Sequence, residues 1–161
     1  MKKIAILGIC LLMIASVACK KKTEDPAPVP YAYFKVDGVA KSYTVYSKFT
    51  KDLCSTSTFC CRFSSNNTET AAQMKFGIPG DPVVGLVYKT GDYRFSCFYF
   101  DDAQVRYDFA TAPFSVVFTQ WDGQGGWARG NFSGWLKSPT NDSIHITDGY
   151  FQNMIWTMGT K

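Results

Sequence analysis

The chain has 161 residues, six cysteines, one histidine and a formal net charge of +4. Five of its basic residues, Lys2, Lys3, Lys20, Lys21 and Lys22, come before Tyr31. From Tyr31 onward twelve Lys and Arg stand against eleven Asp and Glu, so this part lacks the basic excess that a nucleic-acid partner needs.

The first element is a leader over residues 1–18. Lys2 and Lys3 supply a positive start, and Ile4 to Ala18 is an uncharged apolar run interrupted by Gly8 and Ser16. A membrane-spanning helix takes about 20 apolar residues, and this run is shorter and ends in small ones, which is the profile of a secretory signal peptide. Ser16-Val17-Ala18-Cys19 resembles a lipobox, with Ser16 where leucine is usual. The resemblance implies cleavage before Cys19 and lipidation of its sulfur. The alternative is an ordinary signal peptide with an incidental cysteine. Two or more acyl chains, at about 0.8 kcal/mol per buried methylene, anchor a protein stably. Residues 19–30 then read as a tether: KKKTED followed by spaced prolines buries little and tends to extend. Its lysines are either a contact for anionic headgroups or a solvated charge run.

Residues 31–161 suffice for one domain with a real core. They contain a single glutamate and are rich in Phe, Tyr, Thr, Ser and Val, which favours strands. YAYFKV, Asp37-Gly38 and KSYTVYSKF form a hairpin signature. TFCCRFS, QMKFGI, VVGLVY, DYRFSCFYF, VRYDF, PFSVVFTQW and WARGNFSGWL follow between turn signals, and SIHIT-DG-YFQNMIW closes the chain. No window carries a helical apolar stripe. Nine to ten short antiparallel strands in a β-sandwich or flattened barrel are the expected fold, all-β throughout.

Phe34-Lys35-Val36-Asp37-Gly38, Gly130-Asn131-Phe132-Ser133-Gly134-Trp135-Leu136 and Ile146-Thr147-Asp148-Gly149-Tyr150-Phe151 are similar to segments of small β-sandwich lipoproteins of Bacteroidota. These families are largely of unknown function. The resemblance covers the two ends of the domain and implies a fold and a cell-envelope location, with the outer membrane expected, rather than a reaction.

Export exposes the mature chain to oxidation, and with Cys19 acylated four cysteines remain as disulfide candidates: Cys54, Cys60, Cys61 and Cys97. Strand phase puts Cys61 with Phe59 and Phe63, and Cys97 with Phe95 and Tyr99, all inward. A Cys61–Cys97 bridge is therefore expected, with Cys54 closing onto Cys60. The C-x-x-C spacing of a zinc or redox site is absent, and no metal or other cofactor is expected.

His145 falls on the polar face with Ser143 and Thr147, and no nucleophile elbow accompanies it. Asp101-Asp102 reads as a turn rather than a pair of opposed carboxylates. Asp122-Gly123-Gln124-Gly125-Gly126 reads as a glycine turn rather than a calcium loop. Asp142-Ser143-Ile144 resembles an O-glycosylation acceptor of exported Bacteroidota proteins, with Ser143 as the modified residue.

The sharper functional signal is aromatic. Alternation puts Trp127, Arg129, Asn131, Ser133 and Trp135 on one face of their strand, and Trp121 on the face shared by Ser115, Val117 and Thr119. Trp121, Trp127, Arg129 and Trp135 would then form a surface for a glycan or peptide, or else rings that merely cover the sheet. The expected protein is a non-enzymatic, lipid-anchored envelope component with a binding or structural role. A carbohydrate- or peptide-binding accessory lipoprotein is the alternative, and a hydrolase with an unrecognised site a more distant one.

Overall fold

A computed structural model describes residues 29–43, 46–51, 58–66, 71–93, 95–108, 113–123 and 125–156. The leader, Cys19 and all but the last two residues of the tether lie outside the described residues, as does Cys54.

The described residues form eleven strands and no helix: β1 (Tyr31–Val36), β2 (Val39–Tyr43), β3 (Tyr46–Lys51), β4 (Thr58–Ser64), β5 (Gln73–Pro79), β6 (Val87–Lys89), β7 (Ser96–Phe100), β8 (Arg106–Asp108), β9 (Phe114–Trp121), β10 (Trp127–Lys137) and β11 (Ser143–Trp156). The expected all-β sandwich or flattened barrel is present. One sheet runs β2-β1-β11-β10-β9-β6 and the other β3-β4-β5-β7-β8. They join at two corners. At one, β11 runs parallel to β3 through Ile155 and Trp156; at the other, Lys137 of β10 pairs with Asp108 of β8. All other neighbouring strands are antiparallel.

Alternation builds the interior. β10 buries Ala128, Gly130, Phe132 and Leu136, while Asn131, Ser133 and Trp135 stay exposed. Phe63 and Phe76 from one sheet meet Phe118, Phe132 and Phe151 from the other, with ring centroids 5.4–6.4 Å apart. Packed sheets stand about 10 Å apart, a gap that phenylalanine side chains meeting from both sides fill. Each buried ring contributes about 1.5–3 kcal/mol of transfer free energy.

The sequence contains three Asp-Gly pairs, at 37–38, 122–123 and 148–149, and the first and the last have different fates. Asp37-Gly38 closes the β1–β2 hairpin as expected, with φ of 48° and 82° and Val36 facing Val39. Positive φ at both central residues is what a two-residue hairpin turn of matching twist requires. Asp148-Gly149 does not turn the chain. It is a bulge within the single fourteen-residue β11, where Thr147 and Asp148 stand opposite Ser133 alone. Only Asp148 has positive φ, at 53°. Gly149 is needed for proximity, because a Cβ there would run into the Phe132 carbonyl and lie 2.6 Å from its ring.

The expected Cys61–Cys97 bridge is absent: both thiols are free and buried. Their phase is as expected, and they even share a level, since Phe76 faces Cys61 on one side and Cys97 on the other. That arrangement forbids the bridge. With β5 between them, the two Cα atoms are separated by two strand spacings, about 9.5 Å, beyond the roughly 7 Å that a disulfide spans. Cys97 Sγ instead lies 3.9 Å from Met74 Sδ. Cys60, on the opposite face of β4, is disulfide-bonded, with its partner outside the described residues.

Burial pushes both free thiols well above their ordinary range; the Asn153 amide opposes this at Cys61 and the Asp108 charge adds to it at Cys97. The folded protein thus holds these protons more tightly than the unfolded chain does. The resulting stabilisation is complete below the unfolded thiol pKa of about 8.5 and is lost as pH rises above it. Stability is expected to fall with pH above that point. Alkylation mapped by mass spectrometry should label Cys61 and Cys97 only as the protein unfolds. Prompt labelling of either residue in native protein at pH 8 would contradict their burial.

Candidate functional site

The outer face of the six-stranded sheet carries most of the residues singled out from sequence. Across its middle, Tyr33 of β1 faces Tyr150 of β11, then Asn131 of β10, Val117 of β9 and Val87 of β6. The row beside it runs Tyr31, Gln152, Arg129 and Gln120. On the other side stand Ser133 and Ser115, with Lys89 beyond them on β6. Because Ser115, Ser133 and Gly149 are small, a shallow depression of about 300 Å³ opens here, lined also by Val117, Asn131, Asp148 and the backbone of Phe132.

Tyrosines flank it. Tyr33 is 37% exposed, and the rings of Tyr31 and Tyr150 lie 5.5 Å apart. Burial, and secondarily the neighbouring Tyr31, push the Tyr150 hydroxyl above its ordinary value, so it remains a hydrogen-bond donor at neutral pH. Lys35 and Asp148 form a 2.8 Å surface ion pair at the edge. The bulge produces this edge, since it turns Asp148 outward while keeping Ile146 and Phe151 in the core.

Of the four residues expected to form a tryptophan surface, the structure keeps Trp127, Arg129 and Trp135 on the outer face and removes Trp121. The β9–β10 register slips between Arg129 and Gly130, leaving Thr119 as an extra residue of β9. After that bulge Trp121 faces Ala128 and turns inward, packing edge-on against Phe59 at 5.2 Å and Phe118 at 6.3 Å. One inserted residue reverses the phase of everything beyond it.

Trp127 and Trp135 lie at opposite ends of the unbroken β10, about 26 Å apart at 3.3 Å per residue. Trp135 is 42% exposed and stacks flat on His145, with centroids 4.3 Å apart and planes 6° from parallel. The polar-face placement of His145 is as expected, and its stacking partner follows from the cross-strand pairing of the two residues. Arg129 sits two residues from Trp127, near the start of the strand, its Nε covered and without a hydrogen-bond partner.

Ser143 is exposed as the first residue of β11, directly after a turn closed by Ser138 N–H donating to the Asp142 carbonyl. Asp101 caps its own turn, Oδ1 accepting from the N–H groups of Ala103 and Val105. Asp122 accepts from the Gln120 side chain at 2.6 Å and from Trp127 N–H at 3.3 Å, bracing the glycine turn. Among the described residues no group of three or more His, Cys, Asp or Glu is arranged to hold a metal ion, and no helix is long and apolar enough to cross a membrane.

Sequence reasoning missed Tyr33, Tyr150, Asp148 and Ser115. Alternation marks Tyr33 and Ser115 as outward-facing, but Asp148 and Tyr150 face out only because the bulge resets the phase of β11, and the meeting of all four depends on β1 and β9 flanking the β10–β11 pair. We find no match to this chain among family models, curated proteins or solved structures.

Proposed function

We propose that the chain is a lipid-anchored, non-enzymatic binding protein of the cell envelope, held through acylated Cys19, and that it takes a glycan or peptide on the outer face of its six-stranded sheet. The depression at Ser115, Asn131, Ser133 and Asp148 carries this reading. It places a carboxamide, two hydroxyls and a carboxylate beside the rings of Tyr33 and Tyr150. Flat aromatic surface next to hydrogen-bonding groups suits ligands with an apolar face and polar edges, as sugars and extended peptides have. The leader, the Ser16–Cys19 segment and the similarity to Bacteroidota lipoproteins support the location. The ion pair of Lys35 with Asp148 favours a neutral ligand, because one charge answers the other.

A glycan and peptide array probed with the full chain tests the reading. Asn131→Ala and Tyr150→Ala are each expected to weaken binding by about tenfold, or 1.4 kcal/mol, with little change in Tm. Binding that survives both substitutions would remove this face as the ligand site.

A further inference from the structure

A second concavity lies at one end of the sandwich, distinct from the outer face. There the Asp37-Gly38 hairpin and the Asp101–Val105 turn converge around a pocket of about 270 Å³. Its apolar wall is Val36, Val39 and Ile144; its aromatic wall is Tyr99 and Tyr107, cross-strand partners with rings 6.3 Å apart. Lys41 also lines it, but its Nζ is engaged by Asp102 at 3.1 Å. That pair leaves Asp37 and Asp101 as the unbalanced charges at the mouth.

Among the described residues neither carboxylate has an ion pair of its own, although Lys41 lies within electrostatic reach of Asp101. Asp37 accepts one backbone N–H, from His145 at 2.7 Å. Asp101 directs both of its bonds through Oδ1, so its second carboxylate oxygen keeps its accepting capacity. At Tyr107 burial comes first and the charges of Asp101, Asp142 and Asp37 all add to it, raising the hydroxyl above the ordinary tyrosine value; deeper in, at Tyr99, the Lys41 charge opposes those of Asp102 and Asp101. Behind Tyr99, Tyr43 is buried and its hydroxyl completes no well-formed hydrogen bond. The pocket therefore combines excess negative charge, tyrosine ring surface, spare oxygen acceptors and an apolar wall.

We propose that this pocket binds an organic ammonium ion, an amine on a short aliphatic stem. The stem would lie along Val36, Val39 and Ile144, with the charge between the Asp37 and Asp101 carboxylates and over the tyrosine rings. Ammonium groups are attracted to aromatic faces, more strongly when partly desolvated. A cavity of this size takes a group of a few carbons and encloses most of it. The ammonium could be a soluble amine or an ethanolamine headgroup, which share this chemistry.

Butylammonium chloride titrated into the full chain, against sodium chloride at equal ionic strength, is the direct test, read by NMR shifts of Tyr99 and Tyr107. Saturable binding is expected. Asp101→Asn keeps the Oδ1 acceptor of the turn and removes the charge; it should weaken binding about fivefold, as should Tyr107→Leu. Short-chain phosphatidylethanolamine below its micelle concentration separates the sources: tighter binding than butylammonium assigns a headgroup, weaker binding a soluble amine. The proposal is overturned if neutral butanol binds as well as butylammonium, or if Asp101→Asn leaves affinity unchanged while Tm stays at its wild-type value. Should Asp101→Asn unfold the chain, the butanol comparison on the unaltered protein still decides.

Discussion

Phe151→Ala is expected to lower the unfolding free energy by about 3–5 kcal/mol, the range for deletion of a buried aromatic. Phe151 is fully buried and meets Phe118 at 5.3 Å, Phe76 at 5.4 Å, Phe63 at 5.6 Å and Phe132 at 6.5 Å. Phe63 and Phe76 belong to one sheet, Phe118 and Phe132 to the other, so this ring joins the two layers. Its removal leaves a cavity between sheets whose backbones are pinned at both corners by β11–β3 and β10–β8, which limits collapse around the gap. Domains of this size commonly have about 5–15 kcal/mol in all, so the substitution consumes a large share. Urea unfolding of the variant and wild type measures it, and a loss below about 1 kcal/mol would show that the rings do not pack as one unit.

Gly130→Ala is the second large effect, and its sign is opposite to intrinsic preference. In an open strand, alanine in place of glycine saves backbone entropy and usually stabilises. At Gly130 the added Cβ would collide with the Val117 carbonyl oxygen and lie 2.6 Å from Cε1 and Cζ of Phe151. The ring is held on every side by other rings, and the carbonyl belongs to the paired strand β9, so neither gives way cheaply. Overpacking of this kind costs about 1–3 kcal/mol, and here it also strains the β9–β10 ladder. A thermal melt at or above the wild-type Tm would mean that β9 and β10 stand farther apart at this level than the structure has them.

The two substitutions show where sequence reading succeeds. The inward set of β10, Ala128, Gly130, Phe132 and Leu136, follows from simple alternation, because successive side chains of a strand point to opposite faces. The same rule placed Cys61 and Cys97 inside, Ile144 and Ile146 in the core, and His145 outside. It failed at the two bulges. Trp121 turned inward after an unpaired residue in β9, and Asp148-Gly149 became a bulge although the same dipeptide at 37–38 makes a turn. Nothing within either segment distinguishes these outcomes; the register of the neighbouring strand does.

The sequence by itself determined the strand class, the inward and outward sets within each uninterrupted strand, and the Asp37-Gly38 hairpin. These depend on local conformational preference and a two-residue period, both carried by adjacent residues. Only the tertiary structure decided which strands are neighbours. That order put β5 between Cys61 and Cys97 and so kept both thiols free. It gathered Ser115, Asn131 and Asp148 from three strands into one depression, and brought Asp37 and Asp101, 64 positions apart in the chain, to one pocket. Strand order is set by which arrangement buries the phenylalanine faces of both sheets at once, a property of the whole chain that no segment carries alone.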